Sequence, residues 1–234
     1  MIGAVLGSSL VVAAAAMAHA VCSRSSTLLA PSIYRGPAGR RAIAITFDDG
    51  PSESTPELLD VLDRFGVRAT FFQCGMHVRR LPEVAYAVVS RGHEIGNHAD
   101  THQLLCFHSA KFIRQELERS QESIREATGV VPSLFRAPYG ARWFGLREAQ
   151  AEFGLLGVMW TTIGRDWMLP PDAIARRLRS GARNGAIFCL HDGRGTRERP
   201  DIRATIEAVG EVLPRLVDRG FTFQTVSQLL CPTN

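Results

Sequence analysis

Lysine is almost missing from this chain of 234 residues: Lys111 is the only one, so nearly all of the 27 basic side chains are arginines. They are scattered along the chain, and the net charge is only +4. A nucleic-acid binder gathers its basic residues on one face, so no nucleic-acid partner is expected. The five cysteines (Cys22, Cys74, Cys106, Cys189 and Cys231) contain no C-x-x-C pair, and an odd number does not make a disulfide framework. Cys74 and Cys189 fall inside apolar runs and read as small buried hydrophobes. No internal repeat or low-complexity tract is visible, and a composition of 45% hydrophobic and 21% charged residues is that of a globular domain.

Charge is also missing from the first 21 residues, a run about as long as a membrane-spanning helix needs. The run ends in Ala18-His19-Ala20, which resembles the small-x-small site of a signal peptide, but no basic residues precede its apolar part. Arg24, Arg35, Arg40 and Arg41 follow it and pull against export. The expectation is an uncleaved anchor or a poor export signal over residues 1–22, giving membrane association or export to the cell envelope in an open orientation. A Ser/Arg/Pro/Gly-rich connector over 23–40 then leads to one catalytic domain over 41–230. Oligomeric state leaves no trace in the sequence.

What the chain does have is alternation. Short apolar runs predict strands at Ala42 to Phe47, Ala69 to Cys74, His93 to Gly96, Leu134 to Arg136, Leu156 to Trp160, Ala186 to Leu190 and Phe221 to Gln224. Amphipathic segments lie between them. Thr55 is placed to cap a helix with Pro56 in its first turn and Gly66 at its end. Ser109 to Thr128 reads as a helix closed by Gly129, and Asp172 is placed to cap Ala173 to Ala182. Seven strands alternating with helices predict an α/β domain with a largely parallel sheet, and the pattern alone fits a barrel or an open sheet.

Polar residues recur at the carboxyl ends of these strands: Asp48 and Asp49, His98 and His102, Arg136 to Tyr139, Asp166 and Trp167, then His191 and Asp192. In parallel α/β folds those ends share one face, where active sites sit, and five contributing strands suit a barrel mouth. Two adjacent carboxylates after an apolar strand are costly to bury unless a cation or partner takes up their charge. His98 and His102 are spaced so that one helical turn would face them the same way. With one of the aspartates they make a two-His, one-carboxylate metal set with open positions. The other aspartate is then free to act as a base toward water. His191 is a candidate acid across the site; Arg136 beside the base and Asp166 beside His191 would fix their charge states, an ordinary Arg136–Asp166 ion pair being the competing reading. Trp160, Trp167, Tyr139 and Trp143 could wall a sugar ring.

TFDDG, the His-x-x-x-His segment, RAPYG, the RDW segment and CLHDG stand in the order and spacing of the polysaccharide deacetylases, and from Arg41 to Leu230 the chain resembles that carbohydrate esterase family. The resemblance implies a distorted (β/α) barrel and metal-dependent hydrolysis of an N-acetyl group on an amino sugar, with zinc, or in some members cobalt or nickel. It implies Asp48 as base, and Asp49, His98 and His102 as metal ligands. Arg136 would orient Asp48, the Tyr139 N–H would stabilise the oxyanion, and His191, held by Asp166, would be the acid. The substrate would be an N-acetylated glycan such as a chitooligosaccharide or peptidoglycan. A deacetylase or deformylase of a lipid-linked amino sugar and an inactive sugar-binding homologue share these motifs. A phosphohydrolase would instead show Asp-x-Asp and carboxylate-only magnesium ligands. Two positions depart from the family: Ala99 replaces a Ser or Thr that braces the histidine loop, and Ile163 replaces an earlier aspartate of the fourth motif.

Overall fold

The computed structural model describes residues 2–231. Nine strands form one sheet in which every pairing is parallel: β1 (Ser32–Ile33), β2 (Ala42–Gly50), β3 (Thr70–Gln73), β4 (Glu94–Asn97), β5 (Leu134–Phe135), β6 (Leu156–Val158), β7 (Thr162–Ile163), β8 (Ala186–His191) and β9 (Thr222–Phe223). The order is β1-β6-β5-β4-β3-β2-β8-β7, and β9 pairs with the first two residues of β2. The seven expected strands are all present; the two additions, β1 and β7, are two residues long.

The sheet curls into a distorted barrel. Arg136, just past β5, donates to Thr46 Oγ1 and Asp48 Oδ1 of β2, each at 2.6 Å. Three strand spacings separate β5 from β2, roughly 14 Å on a flat sheet, too far for a side chain to cross. Strand alternation sets the two faces. Ala42, Ala44, Phe72, Leu134, Val158 and Ile187 fill the inside, while Ile43, Ile45, Phe47, Phe71 and Phe188 point outward under the helices. Arg136 is fully buried, its guanidinium 4.2 Å from the Phe72 ring.

α1 (Ile2–Cys22) precedes the barrel. At its end Ala20 and Val21 are buried, Val21 against Cys106 and Ala141, while residues 11–19 are exposed. No described helix is long and apolar enough to cross a membrane. Residues 23–40 are tied down by Arg142, which donates to the Ser23 and Ser26 carbonyls and to Ser32 Oγ, and by β1 beside β6.

Around the barrel lie α2 (Thr55–Arg64), α3 (Gly75–Arg80), α4 (Pro82–Ser90), α5 (Ala110–Thr128), α6 (Leu146–Glu152), α7 (Pro171–Gly181), α8 (Arg203–Asp218) and α9 (Val226–Leu230). α5 begins at Ser109, whose hydroxyl accepts from Phe112 N–H, and ends at Gly129 with φ 75°, as its sequence predicts. Two caps differ from expectation. Thr55 lies inside α2, where its hydroxyl accepts from Ser52 N–H and donates to Asp192 Oδ2; Ser54 holds the cap position. Asp172 lies within the first turn of α7, after Pro170 and Pro171, and pairs with Arg176 one turn on.

Candidate active site

β2 alternates inward at Thr46 and Asp48, so Asp49 by itself would point away from the barrel. Its register against β3 shifts between Asp48 and Gly50, and Asp49 takes φ 72°. That irregularity turns the second carboxylate to the mouth beside the first, as bulges next to sites commonly do. Gly193, directly above, must lack a side chain, because a Cβ there would lie 2.2 Å from the Asp49 carbonyl oxygen.

Asp49 Oδ1 is 3.2 Å from His98 Nε2 and 3.0 Å from His102 Nε2, and these three residues form one ligand group. Oδ2 accepts from Gly195 N–H at 2.8 Å, and the Gly195 carbonyl accepts from His77 Nε2 at 2.7 Å. Burial pushes the Asp49 carboxyl up, but hydrogen bonds from His102 and His98 and the charge of His191 outweigh it and hold it well below the usual carboxylate range. His98 Nδ1 lies 2.7 Å from the Arg136 carbonyl. A carbonyl only accepts, so Nδ1 carries a proton, and Nε2 is the nitrogen that would bind a cation in exchange for its hydrogen bond to Asp49. An oxygen and two imidazole nitrogens converging on one point, with Asp49 Oδ2 and His98 Nδ1 braced and His102 Nδ1 buried without a partner, fit a divalent transition metal.

The two histidines do not converge by helical spacing, as their separation suggested. They follow β4 in a loop where Ala99 and His102 have φ 62° and 55°. Asn97 Oδ1 accepts from Ala99 N–H, and its amide donates to Leu117 O and Gln121 Oε1 of α5. Glu116 accepts from the N–H groups of Asp100 and Thr101 and from the Thr101 hydroxyl. Arg79 holds Asp100 at 2.6 Å. The loop is thus clamped to α5 without a hydroxyl at residue 99, and Ala99 is buried among Leu105, Ile113 and Leu117.

Across the cavity His191 ends β8. Asp166 Oδ1 is 2.8 Å from its Nδ1, and Asp166 Oδ2 accepts from its backbone N–H and from Thr205 Oγ1. Arg194 Nη1 lies 3.6 Å from the same carboxylate. Burial pulls the imidazole down, but the charge of Asp166 and its hydrogen bond raise it to about 9. Asp166 pairs with His191, while Arg136 pairs with Asp48; the Arg136–Asp166 bridge does not form.

One cavity of about 520 Å³ is lined by Asp48, Asp49, His98, His102 and His191, with Tyr139, Trp160, Ile163 and Trp167 along its walls. Tyr139 sits in a 3-10 turn (Pro138–Gly140) at φ 59°, its ring 4.8 Å from His102. Trp167 is about half exposed and stands edge-on to His191. Trp143 does not line the cavity; it packs against Phe107 and Phe144. Sequence reasoning missed Cys189 as a lining residue, together with Gly195, His77, Thr205, Thr46 and Arg194. The Gly-Arg-Gly run after His191 is the only one of these with a visible signal.

A family model described as "Polysaccharide deacetylase" matches residues 35–158. A chitooligosaccharide deacetylase of Bradyrhizobium sp. (strain ANU 289) is 35% identical over 84% of this chain and 94% of its own length. A peptidoglycan-N-acetylglucosamine deacetylase of Bacillus cereus is also 35% identical, over 83% of this chain and 90% of its own. Among solved structures, the Bc1960 peptidoglycan N-acetylglucosamine deacetylase in complex with an N-oxidanyl-benzamide superimposes with a TM-score of 0.79 at 26% identity, covering 86% of this chain and 92% of that one.

Proposed function

The chain belongs to the polysaccharide deacetylase family, and on that premise we propose that it hydrolyses the N-acetyl group of an N-acetylated amino sugar within a glycan, with Asp48 as base and His191 as acid. The observation that carries this reading is the placement of a carboxylate and a raised-pKa imidazole in one cavity with the Asp49–His98–His102 group.

Asp49, His98 and His102 would hold a divalent metal, zinc first among the candidates. Such an ion supplies a Lewis acid that polarises an acyl oxygen and acidifies water. Asp48 takes a proton from the water that attacks the acetamide carbonyl. Arg136 occupies its Oδ1 and so directs the base function to Oδ2. The Tyr139 backbone N–H donates to the oxygen as negative charge develops there. Asp166 holds His191 through Nδ1, which leaves the Nε2 proton for the departing nitrogen. The carbon–nitrogen bond breaks, and acetate and a free amine leave. Trp167, Trp160 and Tyr139 offer flat apolar surface to the sugar.

The relatives' names support a chitooligosaccharide or a peptidoglycan strand as substrate. The uncharged segment 1–21 would carry the protein toward the cell envelope, where such glycans lie. The test is acetate and formate release by metal-loaded protein from chitooligosaccharides, peptidoglycan fragments and lipid-linked amino sugars. Acetate from either glycan is the expected result; formate alone, or no release, would contradict it.

A further inference from the structure

A second set of donor atoms lies in the same cavity. Asp48, Cys189 and His191 each offer a ligand atom, and the three lie within 4.8 Å of one another. They come together because β8 runs parallel beside β2, with Thr46 opposite Cys189 and Asp48 opposite His191. Ile187, Cys189 and His191 follow the inward face of β8, while Phe188 and Leu190 point to the helices. Arg136 occupies Asp48 Oδ1 and Asp166 occupies His191 Nδ1, which leaves Oδ2 and Nε2 open. The Cys189 thiol already donates to that Oδ2 at 3.4 Å.

We infer that Asp48, Cys189 and His191 form a second, inhibitory site for a thiophilic divalent cation such as zinc or cadmium. Sulfur, imidazole nitrogen and carboxylate oxygen are the donor set of borderline and soft metals, whereas Asp49, His98 and His102 offer no sulfur. With metal–ligand bonds of about 2.0–2.3 Å, donors around one ion sit roughly 3–4 Å apart, so the set closes on an ion with a shift of about an ångström. Binding displaces two protons to solvent, one from the Cys189 thiol and one from His191 Nε2. Arg136 and a cation at the first site repel the second ion, so it binds more weakly and acts only in metal excess. Its consequence rests on the reading of Asp48 and His191 as base and acid: one ion removes both.

The test begins with metal-free protein titrated with cadmium. The expected result is two bound equivalents, the second accompanied by an ultraviolet thiolate-to-cadmium charge-transfer band, with both the second equivalent and the band lost in Cys189→Ala and in Cys189→Ser. A single equivalent in the parent protein, or a band that survives both substitutions, overturns the site. In the activity arm, acetate release rises and then falls with added zinc, and each Cys189 variant keeps its own maximum through the excess. Acetate release that stays constant in excess zinc contradicts the inhibition and leaves the deacetylase reading standing. A Cys189-dependent band without acetate release at any metal level supports the site and contradicts that reading instead.

Discussion

Asp166 grips His191 twice, with one carboxylate oxygen 2.8 Å from the ring Nδ1 and the other accepting the backbone N–H at 2.9 Å. The pair raises the imidazole from 6.5 to about 9 despite its burial, and lowers Asp166 in return. A group raised in the folded state contributes stability that is fully present below its unfolded value and is lost as pH rises through the folded one. The His191 contribution is therefore complete below about pH 6.5 and gone above about pH 9, while that of the lowered Asp166 carboxyl is lost as pH falls. An acid must also be protonated to act, so the alkaline limb of kcat/KM is expected to follow His191, below about pH 9 once a cation takes up the Asp49 charge that helps to raise it. Asp166→Asn keeps an acceptor but removes the charge, and a pH–rate profile should show that limb moving to lower pH. An unmoved limb would remove His191 from the acid role.

His77 stands outside the ligand group but holds the Gly195 carbonyl, and Gly195 holds Asp49 Oδ2. Groups that orient metal ligands in this way are worth about 10- to 100-fold in metal affinity. His77→Ala should weaken binding by that order in competition with a chromophoric chelator, and His77→Gln should recover part of it. Affinity equal to that of the parent protein would show that the loop holds Asp49 without help.

Arg136 and Asp48 form a buried ion pair at 2.6 Å. Arg136→Ala leaves a carboxylate without its partner inside the barrel and should cost about 3–5 kcal/mol in denaturant unfolding. Replacing the two together, by Met at 136 and Leu at 48, should return most of that loss, because the desolvation penalty disappears with the charges. If the double replacement is as unstable as the single one, packing of the guanidinium on Phe72 and not its charge is what the barrel needs.

Trp167 lines the cavity and Trp143 does not. Loss of an aromatic contact is worth about 0.5–1.5 kcal/mol, or roughly 2- to 10-fold. Trp167→Ala should therefore raise KM for an oligosaccharide by that factor, and Trp143→Ala should leave KM unchanged. Equal effects from the two would contradict this assignment of the sugar wall.

Much of this arrangement is legible in the sequence because it sits in short local patterns. The apolar run ending in Asp48-Asp49 marks a strand, and period-2 alternation places Asp48 inward; the seven longer runs gave the expected order of strands. β1 and β7 escape because Ser32-Ile33 sits in the Ser/Arg/Pro/Gly-rich connector and Thr162-Ile163 follows the run that ends at Trp160, whereas the equally short β5 and β9 lie inside apolar runs of their own. The partnership of His98 and His102 follows from their spacing, but for a different reason: two positive-φ residues in a loop clamped by Asn97 and Glu116 replace the helical turn. Composition groups Trp143 with the other aromatics, and tertiary packing separates it. Thr205 on Asp166, His77 on Gly195 and Gly195 on Asp49 are contacts across 39, 118 and 146 positions, for which no local pattern exists.

The two carboxylates of β2 have different partners, Arg136 and Cys189 for Asp48, His98, His102 and Gly195 for Asp49. The central claim is that the first is the reagent and the second the ligand. Acetate release by metal-saturated Asp48→Asn, with bound metal quantified in the same sample, tests it most directly. The account predicts metal at the stoichiometry of the parent protein and turnover lower by about 10²-fold or more; turnover within a few-fold of the parent protein, or loss of the metal, would contradict it.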